Sequence, residues 1–251
     1  MSYISLELVP RNESSLRDEL ELVRNSFPKI NAINIPDLLR FPLRSWEGCL
    51  IAQKYFNTTI PHLRAMDFDI SETMDGLDFL KDSQFSHVLI VQGDKPQETS
   101  RNVYGTKSID LISTIRQYYP NLKIYAALDP YRQGMSEEIR YAHQKIDAGI
   151  NGFFSQPFFD LRLLEMYEEQ LRGIDIFWGV SPVLNEKSKR YWEVKNKVVF
   201  PSDFSYSLSW NQSFGRELLE FSLERGNSVY FMPIKADTKE YLEGIFDSCS
   251  F

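Results

Sequence analysis

The stretch "INGFFSQPFFDLRLLEMYEEQLRG", residues 150–173, reads as one β-strand followed by one α-helix, the unit from which the rest of the chain is built. Phe153 and Phe154 sit in a short apolar run of the kind that packs a strand on a core. Pro157 has no N–H to continue a ladder, Asp160 offers an oxygen to the first turn of a helix, and Gly173 closes that helix. Gln156 therefore stands where the strand leaves the core and enters a ligand pocket.

The same unit recurs on both sides. Apolar segments with strand character begin at "YISLELV" (3–9), "INAINI" (30–35), "IPHLRAM" (60–66), "HVLIVQG" (87–93), "KIYAAL" (123–128), "INGFFSQ" (150–156), "IDIFWGV" (174–180) and "SVYFMPI" (228–234). Helix-prone stretches such as "ESSLRDELELVRNSF", "SETMDGLDFLKDS", "SIDLISTIRQYY" and "FGRELLEFSLERG" separate them. Most starts lie roughly 25 to 35 residues apart, and eight such units suit an α/β fold of the (β/α)8 TIM-barrel type. The interval after the seventh segment is long. It holds the helix-like "NEKSKRYWEVKN" and the aromatic "VVFPSDFSYSLSWNQSF", read as an elaborated loop over the barrel mouth. No repeat or linker divides residues 1–251, which read as a single domain.

Composition excludes several classes. With 43% hydrophobic residues the chain can fill a sizeable core, and a formal net charge of -7 gives no general attraction to phosphate backbones or anionic lipid. Nucleic acid is therefore not expected as a partner. Cys49 and Cys249 lie far apart, and His62, His87 and His143 lack metal-ligand spacing, so no metal centre is expected. The chain shows neither a leader pattern nor a membrane-length apolar run, which predicts a cytoplasmic protein.

Chemistry in a barrel gathers at the carboxyl ends of the strands. Those ends carry Glu7; Asn34 and Asp37; His62, Arg64 and Asp67; Gln92, Gly93 and Asp94; Asp129, Tyr131 and Arg132; Gln156; and Lys235. Each has a plainer alternative. Glu7 fits a structural ion pair with Arg64, His62 a hydrogen-bonded core histidine, "QGD" a strand-ending turn, "DPYRQG" a proline turn, and the aromatics of 200–214 simple packing. Ser155 lacks the surroundings of a nucleophile elbow, which argues against a hydrolase triad.

In chain order stand "SLELVP" (5–10), "PHLR" (61–64), "QGD" (92–94), "KIDAGI" (145–150), "SQPFFD" (155–160) and "WGVSPV" (178–183). Together they resemble the methylenetetrahydrofolate reductases, flavin-dependent (β/α)8 enzymes whose patterns run S-F-E-F-F-P, P-H-L-T, R-G-D, K-V-D-A-G-A, T-Q-x-F-F-D and P-G-I-x-P-V. The resemblance implies reduction of 5,10-methylenetetrahydrofolate to 5-methyltetrahydrofolate by NAD(P)H through FAD. It makes Glu7 the general acid and Asp94 the group that stabilises the iminium and contacts the pterin. Gln156 would bind the folate ring, with Phe158 and Phe159 packed beside the bound rings. To the flavin it assigns His62, Arg64, Gly93, Asp129, Tyr131, Arg132 and Lys145, with Arg64, Arg132 and Lys145 supplying charge to its diphosphate.

The departures from the family patterns fall on the flavin side. "NAINIPDLL" stands for S-V-T-Y-G, Gln92 for the arginine before Gly-Asp, "ALDPYRQG" for the fifth-strand signature, and "MPIK" for the terminal Leu-Asn-Arg. A flavin-free reductase, a folate-binding subunit that works beside a partner, and a lyase or isomerase using Glu7 and Asp94 are the competing readings. Association as a homo-oligomer or with a partner subunit is left open.

Overall fold

The computed structural model describes residues 2–70, 76–83, 85–94 and 102–247. Eight parallel strands close into a barrel in sequence order: β1 Ile4–Glu7, β2 Ala32–Ile35, β3 Thr58–Arg64, β4 His87–Val91, β5 Lys123–Leu128, β6 Gly152–Pro157, β7 Asp175–Val180 and β8 Ser228–Phe231. β8 returns to pair with β1, with Ser5 opposite Tyr230. All eight coincide with the segments expected from the sequence.

The described helices are α1 Glu13–Ser26, α2 Ser45–Ala52, α3 Phe79–Asp82, α4 Ser108–Tyr118, α5 Met135–Asp147, α6 Leu161–Gln170, α7 Glu186–Asn196, α8 Leu208–Glu224 and α9 Thr238–Phe246. Side-chain oxygens start several of them, as the sequence suggests: Asn12 accepts from Ser15 N, Asp160 from Arg162 N, Asn185 from Ser188 N and Ser207 from Trp210 N. Part of the "SETMDGLDFLKDS" segment, residues 71–75, lies outside the described residues, as does Cys249. The buried Cys49 is a free thiol.

Alternation along the strands sorts the core into two shells. Leu6, Ile33, Leu63, Ile90, Ile124, Phe153, Trp178 and Phe231 face outward against the helices. Ile60, Leu89, Tyr125, Phe154, Phe177, Tyr230 and Met232 fill the barrel itself, where Phe154 and Phe177 stack with centroids 4.0 Å apart. Gly179 has no alternative: a Cβ there would lie 2.8 Å from the Tyr230 ring and 2.9 Å from the Ser155 carbonyl, the acceptor to which the Tyr230 hydroxyl donates.

Strand β6 breaks the alternation. Phe154 pairs with Phe177, but the next matched pair is Pro157 with Gly179, so β6 spends three steps where β7 spends two. One extra residue reverses the faces beyond it. Strict alternation from Phe154 would turn Phe158 into the barrel; instead it is fully buried against Tyr167 of α6 and Trp178 of β7. The expectation that Phe158 and Phe159 flank a ligand is thereby corrected. Phe159 packs on Trp192 and Phe200 in a separate aromatic cluster with Val183 and Val198.

The long interval after β7 also differs from expectation. α8 begins at Leu208, so Trp210 and Phe214 belong to a helix, where they stack at 5.5 Å, and the loop proper is shorter. Replacing Phe158 by Ala should cost about 3–5 kcal/mol of stability, whereas Gln156→Ala should change it by no more than about 0.5 kcal/mol. Urea denaturation checks both, and equal losses would contradict the assignment of faces.

Candidate functional site

Inward-facing Ser5 and Glu7 on β1 lie next to Asn34 on β2, and Asn34 is adjacent to His62 on β3. The buried Asn34 amide joins all of them. Its Oδ1 accepts from Ser5 Oγ at 2.8 Å, and its Nδ2 lies 3.3 Å from Glu7 Oε2 and 3.2 Å from His62 Nε2. An amide nitrogen can only donate, so His62 Nε2 accepts and the ring proton sits on Nδ1.

This arrangement sets the protonation of both groups. Burial pushes the Glu7 carboxyl up from 4.5 to about 7, opposed only by the bond from Asn34. Burial likewise pushes His62 down to about 3, leaving it a neutral imidazole. Glu7 makes no ion pair with Arg64, so the structural-pair alternative fails; among the described residues its hydrogen-bond partner is a neutral amide. A carboxyl with this titration can give up a proton near neutrality and take it back.

Arg64 is turned elsewhere. Its Nε lies 3.3 Å from Asp67 Oδ2, and its Nη2 donates to the Asp94 carbonyl at 2.5 Å. Asp67 also meets Arg44, which grips the buried Asp37 at 2.6 Å. Gly93 takes φ +86° and lies so close to Arg64 that a Cβ would come within 3.2 Å of it. The effect is to brace the turn after β4, leaving Asp94 exposed at its end. Gln92 serves the same turn: its amide donates to the Thr106 carbonyl at 3.1 Å and accepts from Ser108 N, at the start of α4, at 2.9 Å.

After β5, Asp129 accepts from Tyr131 N at 3.0 Å, and burial raises its carboxyl above the ordinary value. The Tyr131 hydroxyl donates to the Pro157 carbonyl at 3.0 Å, tying this loop to the end of β6. Arg132 reaches both oxygens of Glu138, at 2.9 and 2.6 Å. Glu138 is fully buried and also accepts from Gln133 Nε2 and Asp129 N. Lys145 lies beneath α5, donating to the Ala127 carbonyl at 2.5 Å with its charge 4.2 Å from the Tyr141 ring, and burial lowers it to about 8.

The candidate residues thus fall into two groups. All six side chains assigned to a flavin, those of His62, Arg64, Asp129, Tyr131, Arg132 and Lys145, have partners within the protein. Of the three cations, Arg64 and Arg132 meet carboxylates, Asp67 and Glu138, whereas Lys145 meets the neutral Ala127 carbonyl. Of the residues expected to meet the folate, Glu7 has one long hydrogen bond, Asp94 is exposed, and the side chain of half-buried Gln156 makes no hydrogen bond among the described residues. Asn34 was legible as a polar strand end, but its role as the hub was not; Ser5, Tyr230 and Glu138 carried no signal beyond their place in the strand or helix pattern. No cluster of His, Cys, Asp and Glu among the described residues could hold a metal ion, and no described helix is long and apolar enough to cross a membrane.

The family model for methylenetetrahydrofolate reductase matches residues 45–212, more than half of the sequence. The 5,10-methylenetetrahydrofolate reductase of Buchnera aphidicola is 25% identical over 145 residues, covering 55% of this chain and 50% of that protein. The Pectobacterium carotovorum enzyme is 24% identical over 147 residues, covering 57% and 49% respectively. The chain therefore spans about half the length of these curated relatives. Among solved structures, an uncharacterised Clostridium thermocellum protein described as binding two copies of 5-methyl-5,6,7,8-tetrahydrofolic acid superposes with a TM-score of 0.65 at 16% identity, covering 98% of this chain and 94% of that one. A 2,3-dimethylmalate lyase gives a TM-score of 0.57 at 12% identity, covering 93% and 76%, a likeness of fold alone. With its family model spanning most of the barrel, from α2 to α8, this chain belongs to the methylenetetrahydrofolate reductase family.

Proposed function

We propose that this chain reduces 5,10-methylenetetrahydrofolate to 5-methyltetrahydrofolate at the expense of a reduced nicotinamide. The observation that carries the proposal is Glu7: a carboxyl inside the barrel, held by a neutral amide and titrating near 7. Family membership and the folate ligand of the Clostridium thermocellum protein support the substrate class. A Caenorhabditis elegans relative, 24% identical over 140 residues, is named as a probable NADPH-dependent methylenetetrahydrofolate reductase, which supports the reductant.

The reaction divides into a proton step and a hydride step. Protonated Glu7 gives its proton to N10 of the five-membered ring as the C–N bond to the bridging carbon breaks, leaving an iminium at N5. The exposed Asp94 carboxylate opposes the positive charge that develops there, and the Gln156 amide pairs with the pterin edge. Hydride then reaches the methylene carbon, giving the methyl product and oxidised nicotinamide, and Glu7 regains a proton from water. Here the pocket contributes proton, charge and orientation.

A second reading, a folate-binding subunit without redox activity of its own, is favoured by the partnered state of the residues assigned to the cofactor. The two separate on one pair of assays. Glu7→Gln should lower folate reduction by about 10²–10⁴-fold while leaving binding of 5-methyltetrahydrofolate within a few-fold of the parent. Tight folate binding with no turnover in the parent protein would favour the subunit.

Glu7 should also leave a mark on stability. Its folded-state value lies above its ordinary one, so the folded form favours the protonated carboxyl: that stabilisation is whole below about pH 4.5 and is lost as the pH rises through about 7. Relative to Glu7→Gln, the parent protein should lose on the order of 3 kcal/mol between pH 4 and pH 8. Urea unfolding across that range measures it, and parallel pH profiles for the two proteins would contradict the assignment.

A further inference from the structure

Resting on the folate contact proposed above for Gln156, we infer that the hydroxyls of Tyr230 and Tyr131 are positioning groups for that amide. They clamp the irregular part of β6 by the carbonyls on either side of Gln156, and so fix where its side chain meets the ligand.

Two pairings compete along β6. In an unbroken parallel ladder continued from Phe154 opposite Phe177, the Gly179 N–H would donate to the Ser155 carbonyl. Instead the Ser155 hydroxyl takes that N–H at 2.9 Å, and pairing resumes with Pro157 opposite Gly179, where Phe158 N donates to the Gly179 carbonyl at 2.9 Å. The displaced Ser155 carbonyl belongs to a residue only 1% exposed, so it needs another donor. Tyr230 supplies it.

Tyr230 reaches that carbonyl from β8, across β7. It stands opposite Gly179 in the β7–β8 register, and the missing Cβ there is what lets the phenol ring pass over to β6. Phe154 packs on the same ring with centroids 5.0 Å apart. Beyond Gln156, the Tyr131 hydroxyl from the loop after β5 donates to the Pro157 carbonyl at 3.0 Å. Burial pushes both phenols up, so each keeps its proton and remains a donor.

Gln156 lies between these two held carbonyls. Its side chain has no hydrogen-bond partner among the described residues, so the course of the backbone sets where the amide stands. Without the Tyr230 hydroxyl, the Ser155 carbonyl can regain a partner by returning to the Gly179 N–H. That return removes the irregularity and turns Gln156.

Tyr230→Phe and Tyr131→Phe keep each ring and remove only the hydroxyl. Nitrogen-15 NMR of the glutamine side-chain amides reads the result in the free full-length protein, with Gln156→Ala to assign the signal. Each variant should move the Gln156 pair and leave the Gln92 pair, bonded to Thr106 and Ser108, in place. A Gln156 signal unmoved in either variant overturns the clamp. Should Tyr230→Phe not fold, Ser155→Ala frees the Gly179 N–H from the other side and should move the same signal; no movement there overturns the clamp equally.

The second readout is calorimetric binding of 5-methyltetrahydrofolate. Tyr230→Phe should weaken it about tenfold, and in a Gln156→Ala background the same change should add less than about twofold, because its effect passes through the amide already removed. Equal losses in the two backgrounds would overturn the positioning role. Movement of the Gln156 signal in a protein whose parent binds no folate would overturn the proposed folate contact and leave the clamp standing.

Discussion

A carboxyl group inside a closed barrel, bonded to an amide instead of a cation, is the constraint on which the site depends. Had Glu7 met Arg64, the pair would have held it ionised, and it would have no proton to give at neutral pH. Arg64 is kept away by Asp67 and by the Asp94 carbonyl, and Asp67 is itself held by Arg44. The ion-pair network beyond β2 and β3 thus has a consequence on β1: it leaves Glu7 to Asn34. The same network fixes the turn that presents Asp94, because Arg64 also donates to the Asp94 carbonyl.

The strands were legible because each is short, apolar and punctuated by polar turns, and the two-residue alternation then assigns Ser5 and Glu7 to one face. Phe158 was not. The extra residue between Phe154 and Pro157 leaves no trace in composition, and it reverses the face of everything beyond it. For a similar reason the start of α8 at Leu208 was hidden among aromatic residues that suit a loop or a helix equally.

Partners of charged groups were the other hidden layer. Arg132 and Glu138 stand only six residues apart, yet they belong to a turn and a helix whose relative geometry the sequence does not state. Lys145 looks like a surface lysine on α5 until the helix is docked, when it points under the helix to the Ala127 carbonyl. What the sequence resembled was the set of residue types; what the structure adds is the partner of each, Asp67 for Arg64, Glu138 for Arg132, the Ala127 carbonyl for Lys145 and Asn34 for both Glu7 and His62.

The measurement that tests this account most directly is the titration of the Glu7 carboxyl itself. Carbon-13 NMR of protein labelled at the glutamate side-chain carboxyl, with Glu7→Gln to assign the resonance, reads it without relying on turnover. The account predicts a midpoint at about pH 7. A midpoint in the ordinary carboxylate range, near 4.5, would show Glu7 to be ionised at neutral pH and would contradict its role as the acid.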